Sequence, residues 1–120
     1  MDWWPVDATP HGPGNRLLIG VAVWSGYDLR MLDLLEEAIR AGRGSDVLVG
    51  VFDIDRVGSL ADLERLIPGA GTPAQTPVVG YWSAGTLKEA ATGFHARQIV
   101  SRLFGIDHNA IIERPTASPR

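Results

Sequence analysis

Leu17-Leu18-Ile19-Gly20-Val21-Ala22-Val23-Trp24 is an almost unbroken apolar run that passes directly into Ser25-Gly26-Tyr27-Asp28. An apolar run of this length, bounded by turn residues, suits a strand covered on both faces. The next segment has a different period. Between Asp28 and Ala41 the residues Leu29, Leu32, Leu35 and Ile39, with Met31 and Ala38 alongside, keep a helical stripe, and Gly42 and Gly44 stop it. A buried strand feeding an amphipathic helix is half of a β-α-β unit.

The rest of the chain continues the pattern. Val47 to Asp55 reads as a second buried strand running out into acids, and Ser59 to Ile67 as a short helix closed by Pro68-Gly69. A Gly/Thr/Pro/Ala loop leads to Thr76. Val78 to Trp82 is a third strand, Ser83-Ala84-Gly85 a tight turn, and Thr86 to Thr92 a fourth strand. Ala96 to Phe104 closes the pattern as a helix, with Ile99, Val100 and Leu103 inward. Asp107 is placed to cap one more turn through Ile112, and Pro115 begins a polar tail expected to fray. A helical crossover makes the first two strands parallel, and a hairpin makes the last two antiparallel. The expected fold class is therefore α/β, a mixed sheet of four to five strands with helices on both faces.

Composition narrows the function classes. With 120 residues, 45% apolar and 21% charged, the chain suits one domain with its own core. A net charge of −3 gives no electrostatic case for nucleic acid or an anionic membrane. No apolar run approaches the roughly 20 residues that span a bilayer, and Met1-Asp2-Trp3-Trp4-Pro5 lacks the features of a secretory signal. A cytoplasmic protein is expected. Residues 1–15 hold three prolines and two glycines and read as an arm. Within it, Trp3 and Trp4 are costly to leave in water, so at least one is expected to dock.

Four features, in their order and spacing, resemble the thioredoxin family over roughly residues 16–104. They are the junction of the first strand, Trp24 and helix; Val51-Phe52-Asp53-Ile54-Asp55, with an acid closing the central strand; Thr76-Pro77 directly before Val78-Val79-Gly80-Tyr81-Trp82; and Gly85 with Gly93 before the last helix. The resemblance implies a thioredoxin-like domain at 16–105, between the arm (1–15) and a short C-terminal helix or tail (106–120). It also implies a cis-proline at Pro77 facing the active site. The family's active site, however, is Trp-Cys-Gly-Pro-Cys. Here the five residues are Trp24-Ser25-Gly26-Tyr27-Asp28, and the chain contains no Cys. Thiol–disulfide exchange needs a protein thiolate. The buried acid that serves proton transfer in the family falls at Ile19, and its companion lysine at Val51. Nucleophiles and proton machinery are missing together, so dithiol redox activity is not expected.

The family also implies what is left without the thiols. Its cis-proline loop pairs with an extended peptide by strand addition, which requires no cysteine. The expected function is a redox-inactive protein- or peptide-binding or assembly module. Its contact residues are Trp24, Ser25, Gly26, Tyr27, Thr76, Pro77, Gly93 and Phe94. No cofactor, metal or catalytic residue is assigned, and the expected partner is a protein or peptide or a second copy of the chain. Ser25-x-x-Asp28 has the form of a capping box, Ser25 Oγ accepting from the Asp28 amide and the carboxylate reaching back to the Ser25 amide. Two other readings stand beside this one. A hydrolytic site would use Ser25 with His95 as base and Asp28, although no oxyanion hole is assigned. A self-associating protomer would use Trp3, Trp4 and Trp82 on an exposed sheet edge. Asp53 and Asp55, two apart on a strand, fall short of the six to eight oxygens calcium prefers and read as strand-end acids. His11, His95 and His108 have no metal-ligand spacing.

Overall fold

The apolar run from Leu17 occupies the middle of the molecule because it is hydrogen-bonded on both sides and covered on both faces. The computed structural model describes residues 2–4, 14–70 and 75–112. In chain order its elements are β1 (Asp2–Trp3), β2 (Asn15–Val21), α1 (Gly26–Arg40) and β3 (Val47–Asp53), followed by a 3-10 turn (Ile54–Arg56) and α2 (Leu60–Leu66). Then come β4 (Val78–Ser83), β5 (Thr86–Thr92), α3 (Gly93–Phe104) and α4 (His108–Ile112). The strands form one open, mixed sheet in the order β1-β3-β2-β4-β5. β1 and β2 each run parallel to β3, while β4 runs antiparallel to both β2 and β5. The protein is thus α/β, with helices on both faces of the sheet.

Alternation along β2 assigns its two faces. Leu17, Ile19 and Val21, with Val51 and Val79, meet Met31, Leu35 and Ala38 of α1, Ala96, Ile99, Val100 and Phe104 of α3, and Ile111 of α4. Leu18, Phe52, Val78 and Trp82 meet Leu63, Leu66 and Ile67, with Trp4 half-buried against them. This second face is hollowed by glycine. A Cβ on Gly20 would lie 2.5 Å from the Phe52 ring, one on Gly50 2.8 Å from Trp4, and one on Gly80 2.6 Å from the Trp82 indole. Three adjacent strands therefore each present a glycine on which an aromatic ring is seated.

Several boundaries differ from the sequence expectation. β2 ends at Val21, not Trp24, because the chain turns: Ser25 N–H donates to the Ala22 carbonyl at 2.9 Å. The fully buried positions of α1 are Asp28, Met31, Leu35 and Ala38, so the apolar stripe lies to one side of the expected one and Leu29 is exposed. Asp55 is not on a strand; Asp53 closes β3 and its Oδ1 accepts from the Asp55 amide at 3.0 Å, starting the 3-10 turn. α3 begins at Gly93, three residues earlier than expected, on a φ of +61° that favours glycine. The β4–β5 turn is the tight two-residue one the sequence suggests, with Ala84 and Gly85 both at positive φ. Asp107 Oδ1 accepts from the Asn109 amide at the start of α4. Trp82 is buried within the sheet, between β2 and β5, and so cannot serve the exposed edge proposed for self-association. Trp3 lies exposed on β1 and Trp4 N–H donates to the Val51 carbonyl. The expected fraying from Pro115 lies outside the described residues. Among those residues, no helix is long and apolar enough to cross a membrane.

Seating a ring on a glycine makes that position intolerant of a side chain. Gly80→Ala is expected to lower stability by about 1–3 kcal/mol, the usual range for overpacking, because the new methyl meets Trp82 and Ile67 at once. Urea denaturation followed by far-UV circular dichroism measures it. An unchanged midpoint would show that the indole is not seated there.

Candidate functional site

Strand directions bring the sequence-predicted residues to one end of the sheet. β2 and β3 finish there side by side, Val21 opposite Asp53. β4 starts there, Val78 opposite both Gly20 of β2 and Thr92 of β5. So the Trp24 turn, Thr76-Pro77 and Gly93-Phe94 all lie at the same end although they come from distant parts of the chain. The Thr76–Pro77 peptide bond is cis. Gly93 N–H donates to the Pro77 carbonyl at 2.9 Å, joining the last two of these segments. The N–H and C=O of Thr76 itself have no partner among the described residues.

The Trp24 turn is held from below. With Ala22 O accepting from Ser25 N, the intervening Val23 and Trp24 are forced outward, and Trp24 is 74% exposed. Its indole Nε1–H donates to Asp55 Oδ2 at 3.0 Å, which fixes the ring against the end of β3. Ser25 caps α1, its Oγ accepting from the Asp28 amide at 3.3 Å. The reciprocal half of the expected box is different. Asp28 Oδ2 accepts from the Ala22 amide at 2.8 Å, one turn deeper than Ser25 N–H, which is already engaged by Ala22 O. Tyr27 and Phe94 are each nearly half exposed.

Asp28 is the residue whose environment sequence reasoning underrated. It is fully buried, and its Oδ1 has no hydrogen-bond partner among the described residues. Burial is the dominant influence and raises its carboxyl above the usual aspartate range; opposing it are, in order, the Ala22 amide, the Thr76 hydroxyl, the Arg97 charge and the Ser25 hydroxyl. The signal was present in the spacing. Extending Ala38, Leu35 and Met31 by three residues toward the N-terminus lands on Asp28, so the helical stripe itself carries the acid inward.

Arg97, on α3, was not singled out from sequence, and its Nε is buried without a partner among the described residues. Phe94, one turn before it, makes an edge-on contact with the His108 ring of α4 at 4.8 Å. α4 is tied down further by the Arg30 guanidinium, whose Nε donates to the Ala110 carbonyl, and by the fully buried Ile111. Arg97 and His108 therefore line the same helical junction as Asp28. His95 points elsewhere. Its Nδ1 lies 3.3 Å from Gln98 Oε1, and it lines a groove of about 410 Å³ between β5 and α3 with Lys88, Glu89 and Arg102. Ser25 Oγ is engaged as a helix cap and shares no hydrogen bond with His95. Among the described residues no group of three or more His, Cys, Asp or Glu side chains could hold a metal ion. Comparison with protein-family models gives no match, and neither does comparison with curated proteins.

The Asp28 environment fixes a sign for the pH dependence of stability. Because the folded state holds this proton more tightly than the unfolded chain, the stability contribution is full below the unfolded pKa. It is lost as pH rises through the folded pKa. Asp28→Asn retains an acceptor for Ala22 N–H but carries no charge. It is expected to be more stable than the native chain at neutral pH, by about 1.4 kcal/mol for each unit separating the two pKa values, with the difference vanishing in acid. Chemical denaturation at a series of pH values tests this; a less stable variant at neutral pH contradicts it.

Proposed function

We propose that this chain is a thioredoxin-like, redox-inactive module that binds an extended segment of a partner protein or peptide at the end of the sheet carrying Trp24, Thr76-Pro77 and Phe94. The observation that carries the reading is the combination at that end of an unpaired backbone edge with exposed apolar side chains. Among the described residues, nothing pairs with the Thr76 donor and acceptor just before β4 begins. Around it stand Val23, Trp24, Tyr27 and Phe94, each at least 44% exposed. Main-chain groups give an extended peptide affinity without regard to its sequence, and neighbouring apolar side chains add selectivity. Trp24 is suited to the task because its ring is fixed in advance by Asp55, which limits the entropy lost on binding.

The thioredoxin-like assignment draws support from the order and direction of β2 to β5, from helices on both faces, and from the meeting of the Trp24 turn with Thr76-Pro77. The lack of cysteine removes a protein thiolate from this end of the molecule. Ser25 serves the fold as a cap, which favours binding over a Ser25-based hydrolytic site.

A displayed library of random peptides, selected against the full chain, tests the proposal. Selected peptides are expected to shift the amide resonances of Thr76 and Phe94 and the Trp24 indole. Tyr27→Asp with Phe94→Asp is expected to weaken them at least tenfold, about 1.4 kcal/mol, while leaving the folded spectrum intact. Peptides that bind the double variant with native affinity would place the contact surface elsewhere.

A further inference from the structure

Trp24 is 74% exposed, yet its polar edge is already bonded: the indole Nε1–H donates to Asp55 Oδ2 at 3.0 Å. The acid is held in turn, because the Asp55 amide donates to Asp53 Oδ1 at 3.0 Å where the 3-10 turn starts. Indole and carboxylate are thus fixed edge to edge by the β2–α1 turn and the end of β3, before anything binds. Two groups of this pair stay open to a ligand. One is the electron-rich face of the ring, which attracts cations. The other is Asp55 Oδ1, which accepts no hydrogen bond among the described residues. Among those residues Asp55 also takes part in no ion pair, although the exposed Arg56 follows it directly. Donating its N–H to an anion polarises the indole, so ring and acid reinforce each other toward a positive charge.

We propose that Trp24 and Asp55 are the specificity-determining pair at this end of the sheet, and that they take an arginine side chain of the bound segment. A guanidinium is flat and stacks on an indole face, while its N–H groups, lying in the same plane, reach sideways to a carboxylate. A lysine ammonium is a compact charge without that plane. An apolar side chain would gain the ring but desolvate Asp55 without compensation, and an acidic one would meet it as a like charge. The other exposed apolar residues of this end, Val23, Tyr27 and Phe94, carry no charge, so the preference falls to Asp55. Arg56 offsets the field of Asp55 at long range, and selection therefore comes from contact rather than from steering. The choice of partner deepens the function proposed above and rests on it; the cation site itself is local to Trp24 and Asp55.

Two capped tripeptides, acetyl-glycyl-arginyl-glycinamide and its citrulline counterpart, test the pair when titrated into the full chain at low ionic strength under proton–nitrogen correlation spectroscopy. Citrulline keeps the length and flatness of arginine without the charge. The arginine peptide is expected to shift the Trp24 indole and Asp55 amide resonances at millimolar concentration. The citrulline peptide is expected to bind about threefold more weakly, in the range of an exposed charge pair. Asp55→Asn keeps an acceptor for the indole N–H but not the charge, and is expected to remove the difference between the two peptides. Trp24→Leu, read at the Asp55 amide, is expected to weaken the arginine peptide by about threefold, as for loss of an exposed cation–π contact. The proposal is overturned if the native chain binds both peptides alike, if Asp55→Asn keeps the arginine preference, if Trp24→Leu binds as tightly as the native chain, or if the shifts appear away from Trp24 and Asp55. Library-selected peptides that bind this end without arginine would leave the docking surface standing and remove the cation pair. An arginine preference in the tripeptides with no peptide selected from the library would do the reverse.

Discussion

The central position of β2 constrains everything else in the molecule. A strand paired on both sides and roofed on both faces has no solvent-facing position to spare, and Leu17 to Val21 are buried without exception. Such a strand cannot fray into a loop, because each backbone group leaving the ladder would be stranded without water. It must end abruptly, with its next donor satisfied by something else. That something is the Asp28 carboxylate, which takes the Ala22 amide at the point where pairing with β3 and β4 stops. The exposed Trp24 turn is thus a by-product of terminating a fully buried strand.

Using a carboxylate for this purpose sets two effects against each other. A helix cap contributes about 1 kcal/mol, and a hydrogen bond to a charged acceptor about 1.5–3 kcal/mol. Desolvating an ionised carboxylate costs several kcal/mol. The raised pKa of Asp28 shows that burial wins. A neutral side chain would end the strand more cheaply, so the acid is retained at a cost to the fold. Costs of this kind concentrate where a group has a task besides stability, and here the group lies beneath the end of the sheet where the unpaired Thr76 backbone and the outward aromatic side chains meet.

The sequence made the framework legible where periodicity was strong and failed where two functions shared a residue. The β5 limits, the glycine turn before it and the α4 cap follow from local chemistry alone, with no tertiary information needed. The end of β2 did not, since Ala22-Val23-Trp24 is as apolar as the strand before it and only a carboxylate six residues away in sequence terminates it. Trp82 was misplaced for a related reason. An indole on a strand looks like edge material until Gly80 beside it is seen to make room. Asp28 read as a surface cap because acids are rarely fully buried, and Arg97 gave no local signal at all. Its electrostatic influence on Asp28, 69 positions away in sequence, comes only with the packing of α3 against α1.

The two faces of the sheet differ at the end where peptide binding is proposed. The α2 face is closed by rings lying on glycines, an arrangement with no slack and no titratable group among its buried residues. The opposite face, under α1, α3 and α4, contains Asp28, Arg97 and His108, whose buried polar atoms lack partners among the described residues. Close packing resists small continuous shifts, whereas unsatisfied polar atoms mark a face that is less tightly specified. The layer that carries Phe94 and adjoins Trp24 is thus the less completely bonded of the two. The proposed recognition through the Thr76 backbone would ask nothing of side-chain identity beyond that layer. A docking geometry of this kind depends on no reactive side chain for its persistence.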